Sequence, residues 1–140
     1  MFRRTFLGNL LLACVSCLAE GLKSIVHGRL TQAPGKTPAL VTPQGSRVFL
    51  NGDEDALSVL NDPRLSGMEL EAAGQFTAPD QFTLGPFYLN SLLVRKNGKR
   101  YEVTYWCDVC SIRTYTPGKC RCCQEETELD LREVTPEPQP

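Results

Sequence analysis

The sequence predicts a mainly β protein, a small barrel with one short helix, extended near its C-terminal end by a cysteine-rich segment. Three observations predict it. Short apolar and β-branched runs recur between Gly, Pro and Asn turn signals, one window alone has helical spacing, and two Cys-x-x-Cys pairs sit close together. A chain of 140 residues with 41% hydrophobic content supports one core and a small appendage rather than two independent domains. A β-sandwich fragment is the alternative architecture.

Ser24 to Gln32 is rich in β-branched and apolar residues and ends at Ala33-Pro34-Gly35, which makes it the first strand and its turn. Ala39 to Thr42 and Arg47 to Leu50 flank Pro43-Gln44-Gly45 in the pattern of a hairpin. The helix comes next. Asp53 or Asp55 can cap it, Ala56, Leu57 and Leu60 share a face, and Asn61-Asp62-Pro63 stops it. From Met68 to Phe76 the alternation returns, with Met68, Leu70 and Ala72 on one side and Glu69 and Glu71 on the wet side. Strand character continues from Phe82 to Val94. Asn97-Gly98 then marks a two-residue hairpin, because both residues accept the positive φ of a type I′ turn. On its return strand Tyr101, Val103 and Tyr105 alternate with Glu102, Thr104 and Trp106, and the strand runs into Cys107. Leu129, Leu131 and Val134 form a weak last strand before a Pro-rich, disordered end over 135–140.

With about five short strands interrupted by one short helix, the chain from Ile25 to Tyr105 resembles small exported bacterial OB-like barrel domains. The expected organisation is an export signal over 1–19, an OB-like domain over 24–106 and a cysteine-rich ribbon over 107–134. The signal rests on Arg3 and Arg4, the apolar run from Phe6 to Ala13 and the small residues up to Ala19, a stretch too short to span a membrane. Arg3-Arg4-Thr5-Phe6-Leu7 resembles the twin-arginine motif of bacterial proteins exported folded. Leu11-Leu12-Ala13-Cys14 resembles a lipoprotein processing box, with Cys14 as the lipidation candidate. Both resemblances imply a mature protein in the periplasm or cell envelope with no integral membrane span.

Cys107, Cys110, Cys120, Cys122 and Cys123 remain after that signal. Cys107-Asp108-Val109-Cys110 and Cys120-Arg121-Cys122-Cys123, nine residues apart, resemble the paired turns of zinc-ribbon and zinc-knuckle proteins. The resemblance implies one Zn2+ held by Cys107, Cys110, Cys120 and Cys123. Two thiolates three positions apart on a tight turn can point at one ion about 2.3 Å from each sulfur, and two such turns complete a tetrahedron. Cys122 either substitutes as a ligand or stays a free thiol. Cu+, an iron–sulfur cluster and disulfides without metal are the alternatives, and an odd thiol count weakens the last. Redox catalysis at Cys107-Asp108-Val109-Cys110 lacks the helix that lowers the first thiol's pKa in thioredoxin-type motifs, since a β-branched and aromatic run follows.

Other catalysis has little support. His27 reads as a strand residue beside Gly28, Asp53 and Asp55 as helix capping, and Glu69 and Glu71 as the wet face of a strand. The net charge of -1 exerts no global pull on nucleic acid or membrane, yet from Arg95 to Arg121 seven bases face two acids. Acids dominate from Asp53 to Asp80, so the two stretches either neutralise one another or leave a basic groove. The leading function is an exported, non-enzymatic binding and structural module. Tyr101, Tyr105, Trp106 and Tyr115 with Arg95, Lys99, Arg100, Arg113 and Arg121 form its expected surface for a protein, oligosaccharide or other anionic ligand. A thiol redox protein or soft-metal carrier using Cys122 is the alternative.

Overall fold

The structure, a computed structural model, describes residues 23–134. The export signal, Cys14 and the Pro-rich end therefore lie outside the described residues. β1 (Ser24–Thr31), β2 (Ala39–Val41) and β3 (Arg47–Asn51) form an antiparallel meander. β3 pairs in parallel with β5 (Gln81–Leu84), β5 pairs with β4 (Glu69–Ala78), and β4 returns to β1 with His27 opposite Glu71. The order β1-β2-β3-β5-β4-β1 closes a 5-strand OB-like barrel. That closure excludes the sandwich alternative, which needs two separate facing sheets.

α1 (Glu54–Leu60) lies between β3 and β4, where Asp53 caps it by accepting the Ala56 N–H at 2.8 Å. Its inward face is Ala56, Val59 and Leu60, the i, i+3, i+4 set, so Val59 replaces the expected Leu57, which is only partly buried. A 3-10 turn, Pro63–Leu65, follows with Leu65 fully buried. The core is the barrel interior, filled by Leu30, Leu40, Leu50, Leu70 and Phe82 and joined by the fully buried Leu60 and Leu65.

The expected run from Phe82 to Val94 is two strands, β5 and β6 (Leu92–Lys96), separated by a one-turn helix α2 (Tyr88–Ser91). The physical reason is local: Pro86 cannot donate to a ladder and Phe87 turns with φ 61°, while Tyr88 is drawn inward by hydrogen bonds to the Val103 and Tyr115 carbonyls. β5 and β6 occupy successive stretches of the same edge of β4. The pattern repeats one strand further out, where β6 and then β8 (Ile112–Thr114) line one edge of β7 (Lys99–Cys107) and β9 (Glu128–Glu133) lines the other. The barrel sheet thus continues without a break into the cysteine-rich segment.

Two expectations about faces are corrected. Glu71 is not on a wet face: it is buried at 8% exposure and accepts a 2.7 Å bond from Arg100 on β7. Tyr105 is not on a surface either, because β7 turns Val103 and Tyr105 into the core, both at 0% exposure. Side chains from neighbouring strands, His27 on β1 and Arg100 on β7, lie over Glu71, which the alternation of a single strand cannot reveal.

Candidate metal centre

Each pair of cysteines sits on its own turn. β7 delivers Cys107 buried at its end, the chain turns through Ser111 at φ 53°, and β8 starts at Ile112. Within that turn the Cys110 N–H points at the Cys107 sulfur, 3.4 Å away. The second turn is a hairpin between Gly118 and Thr127, closed by the Thr127 N–H and hydroxyl on the Gly118 carbonyl at 3.0 and 2.8 Å. Inside it the Cys120 backbone N–H donates to the Glu125 carbonyl and the Gln124 N–H to the Cys120 carbonyl, at 2.8 and 2.9 Å, with Gln124 at φ 63°.

The sulfurs of Cys107, Cys110, Cys120 and Cys123 all lie within 4.8 Å of one another and can hold a metal ion. Cys107 and Cys123 are 3.4 Å apart. A tetrahedron with bonds of about 2.3 Å has edges of about 3.8 Å, so the cluster has the dimensions of a four-thiolate site. Cys107 and Cys120 are buried, Cys110 and Cys123 half-buried, and Cys122 is exposed and outside the four.

The thiols divide electrostatically. Backbone N–H groups of Cys123 and Cys122 point at the Cys120 sulfur and pull it down to about 7. Cys110 is pushed up by the neighbouring thiols of Cys123 and Cys122 and by burial. At Cys107 the Cys110 N–H favours the thiolate, but burial and the thiols of Cys123 and Cys120 outweigh it and raise the group. One sulfur thus ionises readily while Cys107 and Cys110 resist sharing the space with a second negative charge. A cation placed among them supplies the missing charge, which fits this donor set to a metal.

The remaining singled-out residues meet in pairs rather than in one site. His27 lies beside Arg95 at 3.1 Å on the barrel wall, and Asp53 caps α1. Tyr101 packs against the core and Tyr115 is 49% exposed, while Trp106 carries the Arg113 guanidinium 5.2 Å from its ring. Arg100 is paired with Glu71, Arg113 with Asp130 and Lys99 with Glu133. Tyr105 and Tyr101 therefore leave the expected aromatic and basic face, whereas Arg95 opposite Arg100 and Trp106 opposite Arg113 share one side of β6, β7 and β8, and three of the expected bases are paired with acids that the fold places beside them. Sequence reasoning missed Asp62 and Arg64, which contact both Tyr105 and the second hairpin. Their only sequence signal was a charged pair flanking the helix stop. Comparisons with protein-family models, with curated proteins and with solved structures find no match to this chain.

Proposed function

We propose that this chain is an exported, non-enzymatic binding and structural module of the periplasm or cell envelope, its OB-like barrel braced by Zn2+ at Cys107, Cys110, Cys120 and Cys123. The observation that carries it is the convergence of four thiols from two separate hairpins within 4.8 Å. The segment between the knuckles buries little beyond Cys107 and Cys120, so its order depends on a cross-link. The binding role is supported by a groove of about 730 Å³ between the β1–β2 connection and α1, where Lys36 is the one charged side chain. The test is elemental analysis of protein folded in a reducing cytoplasm. About one zinc per chain is expected, lost in Cys107→Ser and Cys120→Ser and kept in Cys122→Ser. A metal-free protein with two disulfides among the five cysteines would overturn the reading.

The exposed Cys122 beside Cys110 favours a second reading, a soft-metal carrier or thiol protein. Alkylation of the native metal-loaded chain separates the two. A structural site leaves at most one thiol reactive, whereas a carrier exposes several as the metal passes to a competing chelator.

A further inference from the structure

We infer that Asp62 and Arg64, barrel residues far in sequence from every cysteine, are positioning residues for the metal centre and couple metal occupancy to the stability of the barrel. The inference rests on the reading that the four cysteines bind metal. Asp62 follows α1 and its side chain is 2% exposed. It accepts the Arg64 backbone N–H at 3.1 Å, the Arg64 Nε at 3.0 and 3.2 Å, and the Tyr105 hydroxyl at 2.8 Å. The same guanidinium donates to the Thr127 carbonyl at 2.9 Å and stands 5.2 Å from the centre of the Tyr105 ring.

Those two contacts reach the stems of both knuckles. Tyr105 lies on β7 two residues before Cys107, so holding its hydroxyl sets the depth at which β7 presents the first pair. Thr127 closes the second hairpin on Gly118, two residues before Cys120, so holding its carbonyl sets the position of the second pair. The metal needs both pairs placed relative to each other, and one ion pair, its Asp62 buried and its Arg64 35% exposed, touches both supports. Stability alone does not explain the pair, because an ion pair with a part-exposed partner contributes little and a buried one is often no better than apolar residues of the same volume. Its outward contact goes to the hairpin, away from the barrel core.

Coupling between the clasp and the metal is reciprocal. If the clasp improves the placement of the thiols, metal binding must in turn strengthen the barrel through the clasp. Full-length Arg64→Ala and the milder Arg64→Lys are compared with the parent chain in two measurements. One is zinc affinity against a chromophoric chelator, and the other is thermal unfolding of metal-free and zinc-loaded protein. Arg64→Ala is expected to weaken zinc binding about tenfold, about 1.4 kcal/mol, and to shrink the metal-induced rise in Tm. Arg64→Lys should fall between, since an ammonium lacks the guanidinium fork that serves Asp62 and Thr127 together. The Co2+-loaded variants should keep the parent's thiolate charge-transfer bands, because the ligands are unchanged.

Equal lowering of Tm with and without zinc, at unchanged affinity, would overturn the inference and leave the pair a brace of the barrel. If Arg64→Ala does not fold, Arg64→Lys decides by the same two readouts. Failure of the metal reading is distinguishable, since the parent chain would then take up no zinc before any variant is made. That result would sink the coupling with it.

Discussion

Burial alone would push the Asp62 carboxyl up, but the Arg64 side chain and backbone N–H and the Tyr105 hydroxyl outweigh it and hold the group below its ordinary value. The Tyr105 hydroxyl is raised by the same burial and by its bond to Asp62, so it stays protonated and remains a donor. A carboxyl depressed in the folded state contributes stability that is fully present above its unfolded value of about 3.9 and is lost as pH falls through the folded one. Thermal unfolding of the metal-free chain followed from pH 6 to pH 2 should therefore show an acid limb below about pH 4. Asp62→Asn should flatten it while lowering Tm at pH 6. An unchanged acid limb would place that proton uptake elsewhere. At this scale the four cysteines that could hold an ion were legible because two tight turns keep them near one another in sequence. Asp62 and Tyr105 were not, since 43 residues separate them and only the fold brings them to hydrogen-bond distance.

Most of the strands were legible because each carries its own alternation and its own punctuation. The Asn97-Gly98 hairpin is the clearest case: φ is 53° and 74° at the two residues, and Lys96 lies opposite Lys99. Gly98→Val places a β-branched residue at positive φ and should cost roughly 1 kcal/mol or more, read as a lower midpoint in denaturant with an unchanged slope. Gly74 answers to a different constraint. It sits where β4 passes from β6 to β5, and a Cβ there would lie 2.0 Å from the Thr83 carbonyl oxygen. Gly74→Ala should destabilise by about 3 kcal/mol, more than Gly98→Ala, whose Cβ meets open space. The reverse order would contradict the closeness of β4 and β5. The break at α2 escaped the sequence because Leu84 and Leu92 are equally good strand residues, while the departure between them depends on a pocket for Tyr88 under β7.

Across the whole molecule, β7 belongs at once to the sheet that leaves the barrel and to the first cysteine turn. Among the described residues no helix is long and apolar enough to cross a membrane. The export proposal concerns the chain before Lys23, and its test is intact mass: secreted material should begin at or near Glu20. A diacylglycerol adduct on Cys14 would instead make the protein lipid-anchored. By itself the sequence determined the β class, the short capped helix, the Asn97-Gly98 turn and the four cysteines that can share an ion. Those features follow from alternation, capping and spacing, which act over a few neighbouring residues. Tertiary structure alone decided the closure of β1 on β4, the burial of Glu71 and Tyr105, the pairing of Arg100 and Arg113 with acids, and the bridge from Arg64 to Thr127. Those depend on which distant strands become neighbours, and that choice is made by the collective burial of the core, which no single stretch of the chain encodes.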